Sequence, residues 1–249
     1  MPELNITQED GVLYIEINRP QVLNAISPDL LDGLIDLCNS IKMNDNIRVV
    51  VLRGAKDNFS SGADLPSFQK KLKEDPQRVA DLGRVAAEEL SLLPQITIAA
   101  IQGHCIGGAV VLASACDIRI ASENSRFVIP ELDAGIPLTW GGLDHLVSLV
   151  GFSVATDLVT TCREFDAREA YEIGFTSRII TAENFMKELI SLANTIATKP
   201  KTALRITKQQ LISIRTGAYN SKKDAALMLE SLTSPDGKET HNKYVRKLS

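Results

Sequence analysis

The chain has 249 residues, of which 44% are hydrophobic and 23% charged, an ordinary composition for one large globular domain or a core with an appendage. Its formal charge of −4, from 27 basic and 31 acidic side chains, gives no support to nucleic-acid binding. No secretion signal and no membrane-spanning apolar run is expected. The scattered cysteines and the histidines without ligand spacing predict reduced thiols, a cytoplasmic setting and no metal site.

Strand and helix patterns alternate along most of the chain. Alternating or nearly continuous apolar runs predict strands at four places: 11–18, 47–54, 95–103 and 118–131. The last of these, 118–131, is predicted to be a strand pair. Apolar residues at helical spacing, or a small-residue run, predict helices between them: 27–44, 77–93 and 107–117. The order predicts an α/β fold built from stacked crossover units.

Two further stretches differ from this alternation. The polar segment "QKKLKEDPQ", 69–77, is expected to be mobile on the surface. From Thr181 onwards the patterns predict helices only, at 182–198, 200–217 and 221–234. We therefore divide the chain into a core, 1–195, and a C-terminal helical region, 196–249, which covers the core or a neighbouring subunit.

Two turns rich in small residues stand where a strand precedes a helix. They are "NFSSGADL", 58–65, and "GHCIGGAVV", 103–111. Neither has the spacing of a phosphate-binding glycine loop, so a nucleotide-phosphate cradle is disfavoured. Two interpretations remain open. The small residues allow a helix and a strand to pack closely, or they let two backbone N–H groups approach one substrate oxygen as an oxyanion hole.

Four motifs together resemble the crotonase, or enoyl-CoA hydratase/isomerase, superfamily: "RPQVLNAIS", "NFSSGADL", "GHCIGGAVVLASACDIRIAS" and "FVIPELDAGIPLTWGG". They occur in the family's order and spacing, from about Gly11 to the C-terminal helices. The resemblance implies a spiral of repeated β-β-α units with a helical C-terminal region, assembled as a homotrimer or a hexamer. It also implies acyl-CoA thioester substrates, no metal or redox cofactor, and Ala63 and Gly108 as the N–H donors to the thioester oxygen.

The resemblance leaves one carboxylate for proton transfer. Family hydratases use two glutamates, and the first position is Val111 here, whereas the second is Glu131. One base suffices to move a double bond from the 3 to the 2 position, so a 3,2-enoyl-CoA isomerase is the leading interpretation. Hydration or hydratase-lyase chemistry by the same glutamate is the first alternative, and a non-catalytic acyl-CoA-binding homologue is the second. Apolar neighbours of Glu131 are expected to desolvate it and raise its pKa.

The part of the site that would hold CoA departs from the family pattern. Positions that often carry phosphate-binding lysines are Gln21 and Pro66 here. The resemblance nevertheless implies a set of CoA contacts at or beside these positions: Gln21, Leu23, Ala63, Asp64 and Leu65.

Three residues near the motifs have two interpretations each. Asp133 either assists Glu131 or is a solvated loop carboxylate, which is favoured. Trp140, the only tryptophan, either lines the acyl pocket or packs the core. His104 is interpreted as a packing residue rather than as part of a nucleophilic site.

Overall fold

The computed structural model of the protein describes residues 3–248. Its strands follow one another as β1 to β9: Leu4–Glu9, Val12–Ile17, Val49–Gly54, Ile96–Ile101, His104–Ile106, Ile118–Ser122, Arg126–Val128, Phe165–Asp166 and Arg178–Ile180. The helices are α1 to α11: Pro28–Ile41, Leu65–Leu72, Pro76–Ser91, Gly108–Ala115, Gly142–Val150, Phe152–Thr161, Ala167–Glu172, Phe185–Ala197, Lys201–Arg215, Asp224–Thr233 and Pro235–Arg246. Short 3-10 turns stand at Pro20–Val22, Ala182–Asn184 and Ser221–Lys223.

Two sheets organise the chain. The larger has the strand order β1-β2-β3-β4-β6-β9, in which β1 is antiparallel to β2 and every later neighbour is parallel. The smaller has the order β5-β7-β8, with β5 and β7 parallel. The parallel pairs require helical crossovers, so the predicted α/β class is confirmed. The strand pair predicted at 118–131 forms as β6 and β7, which lie in different sheets, and β1 is a strand that the sequence analysis missed.

The large sheet is buried on both faces, which explains the nearly continuous apolar strands. Along β3, Val50 and Leu52 pack into the main core, together with residues of α1, α3 and α4. The intervening Val49 and Val51 pack on the other face, against α8. Because successive side chains of a strand point to opposite faces, a two-sided core selects apolar residues at every position.

The helix starts follow local capping chemistry. Ser27 accepts a hydrogen bond from the Leu30 N–H (3.0 Å), and Pro28 occupies the first turn of α1, as the sequence predicts. The stretch 69–77 lies on the surface, as predicted, but residues 69–72 belong to α2 and residues 76–77 to α3, and its mobility stays a prediction. Asp64 caps that helix by accepting from the Ser67 N–H (3.2 Å), and Phe68 is its buried residue. The cap and one apolar anchor outweigh the charged composition from which a loop was inferred.

The C-terminal helices are fixed to the core through α9. Lys208 is fully buried, and its Nζ lies 2.6 Å from both carboxylate oxygens of Asp117. Asp117 Oδ2 also accepts from the N–H and the Oγ1 of Thr97, at 2.8 and 3.0 Å. Farther along α9, Arg215 donates to the Ser91 carbonyl on α3 (2.6 Å). The predicted division at 195/196 falls inside α8, and the division itself stays a prediction.

Replacing Lys208 by Ala is expected to lower the free energy of unfolding by about 3–5 kcal/mol, because it leaves the largely buried carboxylate of Asp117 without its cation. Lys201→Ala is the matched control, since the Lys201–Asp45 pair is half-exposed and is worth at most about 1 kcal/mol. Urea denaturation of both variants measures the difference. Equal losses of stability in the two variants would contradict the anchoring role of Lys208.

Within residues 3–248, no helix has both the length and the apolar character required to cross a lipid bilayer.

Candidate active site

Backbone pairing joins the two turns singled out by the sequence. The Ser60 N–H donates to the His104 carbonyl (2.9 Å), and the Ile106 N–H donates to the Ser60 carbonyl (3.1 Å). The first turn therefore runs beside β5 as a parallel bridge between Ser60 and Cys105. Two segments that are forty residues apart in the chain are thereby held side by side.

Gly62 allows the closest approach between them. Its φ is +90°, and a Cβ added there would lie 2.6 Å from the Ile106 carbonyl oxygen and 3.9 Å from the Gly108 nitrogen. A side chain at this position would have both a strained backbone and a steric clash. Gly62, which precedes the predicted donor Ala63, thus lies directly against Gly108, the other predicted donor.

The Ala63 amide is left without a protein acceptor. Ile26 pairs with the groups on either side of it: the Ile26 N–H donates to the Gly62 carbonyl (2.7 Å), and the Asp64 N–H donates to the Ile26 carbonyl (2.8 Å). Within residues 3–248, no acceptor takes the Ala63 N–H itself. The pairing fixes the turn while leaving this amide available.

The Gly108 amide is available for a different reason. Gly108 is the first residue of α4, and N–H groups in the first turn of a helix have no partner within the helix. The preceding Gly107 N–H donates to the Val128 carbonyl (2.8 Å), which holds the helix start against β7. In the described part of the chain, the Gly108 N–H has no protein acceptor. Two free amides therefore come from adjoining turns, as an oxyanion hole requires.

Glu131 lies beside the second turn. A Cβ added at Gly107 would be 2.6 Å from Glu131 Oε1, so the absent side chain of Gly107 leaves room for this carboxylate. Glu131 Oε2 is buried and has no hydrogen-bond partner within residues 3–248. Burial raises the pKa of the carboxyl above its ordinary value, as the apolar neighbours predicted. A desolvated carboxylate with an unused oxygen is suited to taking up a proton.

The position of the absent first glutamate is occupied by a packed valine. Val111 lies in α4 and is 2% exposed. A Cβ added at Gly142, where α5 begins, would overlap the Val111 side chain. Position 111 is therefore enclosed by apolar packing. Asp133, the other carboxylate considered, is exposed on the loop that follows Glu131.

Trp140 borders the second turn from the other side. The indole is half-buried, packs against the main core, and lies where a Cβ at Gly108 would be. The core-packing interpretation of Trp140 is therefore confirmed, and the lining of an acyl pocket stays a prediction. His104 is exposed, so its interpretation as a packing residue is wrong. Cys105 beside it is buried, and burial raises its pKa, so this pair presents no reactive thiol to solvent.

The predicted CoA contacts lie together at one edge of the first turn. The Ser61 N–H donates to the Leu23 carbonyl (2.9 Å), which brings the segment of Gln21 and Leu23 beside the segment of Asp64 and Leu65. The side chains of Gln21, Leu23 and Leu65 are exposed. This edge offers apolar surface and backbone groups, but no lysine at positions 21 and 66.

Asp64 is already engaged within the protein. Its Oδ2 lies 2.9 Å from Arg19 Nη2, and its Oδ1 accepts from the Ser67 N–H. Partial burial raises the pKa of Asp64, but the hydrogen bonds from Arg19 and Ser67 outweigh this and lower it overall. The backbone of Asp64 is engaged too, since its N–H donates to the Ile26 carbonyl and its carbonyl accepts from the Phe68 N–H (2.9 Å), so Asp64 presents neither a free carboxylate nor a free N–H.

Two asparagines that the sequence analysis missed hold the first turn in place. Asn24, whose side chain is buried, donates from Nδ2 to the carbonyls of Ala55 (2.8 Å) and Asn58 (2.7 Å). Asn58 Oδ1 accepts from the His104 N–H (3.0 Å) and so ties the first turn to β5. The signal was one asparagine within each of the motif segments 19–27 and 58–65, since asparagine is favoured in turns where side-chain amides satisfy backbone groups.

Comparison with known proteins agrees with this geometry. A model of the family "Enoyl-CoA hydratase/isomerase" matches residues 7–249. A short-chain-enoyl-CoA hydratase of Clostridium acetobutylicum is 33% identical over 213 residues, which cover 84% of this chain and 82% of that protein. A peroxisomal Delta(3,5)-Delta(2,4)-dienoyl-CoA isomerase of Arabidopsis thaliana is 34% identical over 222 residues, covering 83% and 79%.

Solved structures show the same fold. The crystal structure of an enoyl-CoA hydratase from Bacillus anthracis superposes with a TM-score of 0.91 at 28% identity, over 98% of this chain and 96% of that chain. The expected crotonase-like architecture is thus confirmed. From the family match and the paired turns together, we conclude that the chain belongs to the enoyl-CoA hydratase/isomerase family of crotonase-type enzymes.

Proposed function

We propose that the protein is a 3,2-enoyl-CoA isomerase in which Glu131 is the only proton-transferring residue and the amides of Ala63 and Gly108 stabilise the enolate. The observation that carries this proposal is the unpartnered, buried Oε2 of Glu131, together with a packed valine at position 111. One carboxylate is available beside the donor turns, and an isomerisation needs one.

The proposed reaction begins with the thioester oxygen bound between the two amides. Glu131 removes a proton from C2, and the electron pair of that C–H bond forms an enolate whose negative charge is on the thioester oxygen. Two preorganised donors each contribute about 3 kcal/mol to stabilising this charge. The Glu131 carboxylic acid then returns the proton at C4. The double bond moves from C3–C4 to C2–C3, and the enzyme returns to its starting state.

No metal ion or redox cofactor takes part in this proposed reaction. Backbone amides do not titrate, so charge stabilisation on the oxygen does not depend on pH. The CoA group is carried by the substrate, and the edge formed by Leu23 and by residues 63–65 is the proposed contact for its pantetheine and adenine portions.

Hydration by the same glutamate is the second candidate, because the short-chain-enoyl-CoA hydratase of Clostridium acetobutylicum is a relative at 33% identity. Hydration requires that a water molecule be held, deprotonated and delivered. Position 111 provides no carboxylate for this task, since Val111 is buried against the start of α5. Loss of one of two cooperating carboxylates should slow hydration more than isomerisation.

Product analysis separates the candidates. Purified protein is incubated in D2O with a 3-enoyl-CoA and, separately, with a 2-enoyl-CoA, and the products are identified by mass and by the ultraviolet absorbance of the conjugated thioester. Isomerisation yields a conjugated product of unchanged composition apart from deuterium exchange at C2 or C4. Addition of the mass of one D2O, or of one HDO once the new hydroxyl has exchanged back, without bond migration would instead establish hydration, and absence of turnover with either substrate would favour the non-catalytic binder.

The pH dependence of turnover is expected to follow Glu131. Burial raises the pKa of this carboxyl, and the base acts in its ionised form, so kcat/KM should fall as the pH drops through the raised pKa. The acid limb should therefore lie above the ordinary glutamate value of about 4.3. A pH–rate profile of kcat/KM tests this, and an inflection at or below the ordinary value would contradict a desolvated base.

The raised pKa of Glu131 also makes the stability of the protein depend on pH. Between the unfolded and the folded pKa of Glu131, the native state binds more protons than the unfolded state, so stability should decrease as the pH rises through this window.

A further inference from the structure

Two consecutive glycines of the second turn, Gly107 and Gly108, each leave space for one side chain. The missing side chain of Gly107 makes room for the Glu131 carboxylate, whereas that of Gly108 makes room for the indole of Trp140. The proposed base and the tryptophan therefore contact the same turn, one residue apart, on different sides. A substrate bound to the Gly108 amide would have both groups beside it.

The indole occupies a compartment built by three helices. A Cβ added at Gly83 on α3 would overlap the indole, as would one at Gly108 on α4. The ring centroid of Trp140 is 5.8 Å from that of Phe68 on α2. The indole therefore fits here only because α3 and α4 each have a glycine where they face it. The enclosed space is apolar, and α2 begins directly after the turn that carries Ala63.

The backbone of Trp140 is held in an unfavourable conformation. Its φ is +58°, in the left-handed region that bulky residues rarely adopt and that costs about 1–3 kcal/mol. Any L side chain would carry this backbone penalty at the same φ, and only glycine would be free of it. The strain is offset by the burial of the ring between α2, α3 and α4.

We propose that Trp140 determines acyl-chain length by filling the apolar compartment beside the donor turn, so that the enzyme accepts short enoyl-CoA thioesters and excludes long ones. This inference rests on the proposed acyl-CoA chemistry at Glu131 and names the substrate class within it. The reacting carbons, C2 to C4 of the acyl group, must face Glu131. The part of the acyl chain beyond C4 must then occupy the nearest apolar space. The indole already occupies that space, against Phe68 and the two glycines.

The test compares the wild type with Trp140→Phe and Trp140→Ala on crotonyl-, hexenoyl-, decenoyl- and hexadecenoyl-CoA and their 3-enoyl isomers. A difference of one methylene in an apolar pocket changes kcat/KM by about 10- to 200-fold. The wild type should therefore prefer the crotonyl over the decenoyl substrate by at least about tenfold. Trp140→Ala should lower the ratio of the crotonyl to the decenoyl kcat/KM by at least about tenfold, or reverse the preference. The ratio for Trp140→Phe should lie between those of the wild type and Trp140→Ala.

Controls separate specificity from stability. Phe152→Ala removes an aromatic ring that is 75% exposed at the start of α6, and it should leave the chain-length profile unchanged. Circular dichroism identifies any variant that fails to fold. If Trp140→Ala does not fold, Trp140→Phe still tests the proposal, because it keeps an aromatic ring against Phe68. An unchanged profile in every folded variant, with only stability reduced, would overturn the proposal and assign Trp140 to core packing.

A binding measurement keeps this test independent of turnover. Trp140 is the only tryptophan, so its fluorescence reports directly on this compartment. Saturated butyryl-CoA should change the emission and bind more tightly than decanoyl-CoA by calorimetry. Length-dependent binding without any turnover would overturn the isomerase and leave this inference standing. Turnover without chain-length preference would overturn only this inference, and failure of every acyl-CoA to bind would overturn both.

Discussion

Replacing Glu131 by Gln is expected to reduce kcat for enoyl-CoA isomerisation by about 10²- to 10⁴-fold, the contribution of a positioned general acid–base. Gln preserves the shape of the side chain and its fit beside Gly107, but it cannot accept a proton from C2. Affinity for a saturated acyl-CoA should therefore change little, and stability at neutral pH should not fall, because a desolvated charge is removed. Steady-state kinetics and calorimetry on the same preparation measure both effects.

Asp133→Asn is the matched control, since it removes an exposed carboxylate two residues along the same loop. Turnover in that variant should remain near the wild-type value. If Glu131→Gln instead retains full turnover and unchanged affinity, Glu131 has no catalytic role, and the proposal that it transfers the proton is overturned.

Replacing Gly62 by Ala is expected to reduce kcat by about 10²- to 10³-fold, the loss that follows when one oxyanion donor is removed. The new methyl group would lie 2.6 Å from the Ile106 carbonyl oxygen, a backbone atom that cannot move aside easily. The two turns must separate, and the Ala63 and Gly108 amides could then no longer bind one oxygen together in the way we propose. A positive φ at an alanine adds a destabilisation of about 1–3 kcal/mol.

Gly217→Ala separates the two effects. Its φ is +69°, yet a Cβ there would meet nothing within 4 Å, so it carries a comparable backbone penalty without a steric clash. The control should lose stability and keep its activity, as measured by thermal unfolding and initial rates. Equal activity in Gly62→Ala and the wild type would contradict the dependence of catalysis on the joined turns.

Much of the site could be predicted from the sequence because its signals are local. A buried parallel strand followed by small residues marks each donor turn, and the motif order around Gly108 and Glu131 specifies a family. The pKa shift of Glu131 was also predictable, since its immediate neighbours in the chain are apolar. The two-sided core was visible in the continuous apolar character of β3 and β4.

Other features depended on contacts between distant segments. The mobile stretch expected at 69–77 begins instead within α2, because the Asp64 cap and the buried Phe68 lie outside the polar run itself. Asn24 and Asn58 were not singled out, since their importance lies in the carbonyls that the fold brings to them. The oligomeric state, the cytoplasmic setting and the CoA contacts at residues 21, 23 and 63–65 stay predictions.

The sequence by itself determined the class of the fold and the family, and it specified the candidate site residues, because these follow from periodicity and from motifs read along the chain. The tertiary structure decided that Gly62 lies against Gly108, that Glu131 and Trp140 flank consecutive glycines, and that Lys208 is buried against Asp117. Such contacts join residues up to ninety-one positions apart. Packing in three dimensions selects them, and no local propensity encodes that selection.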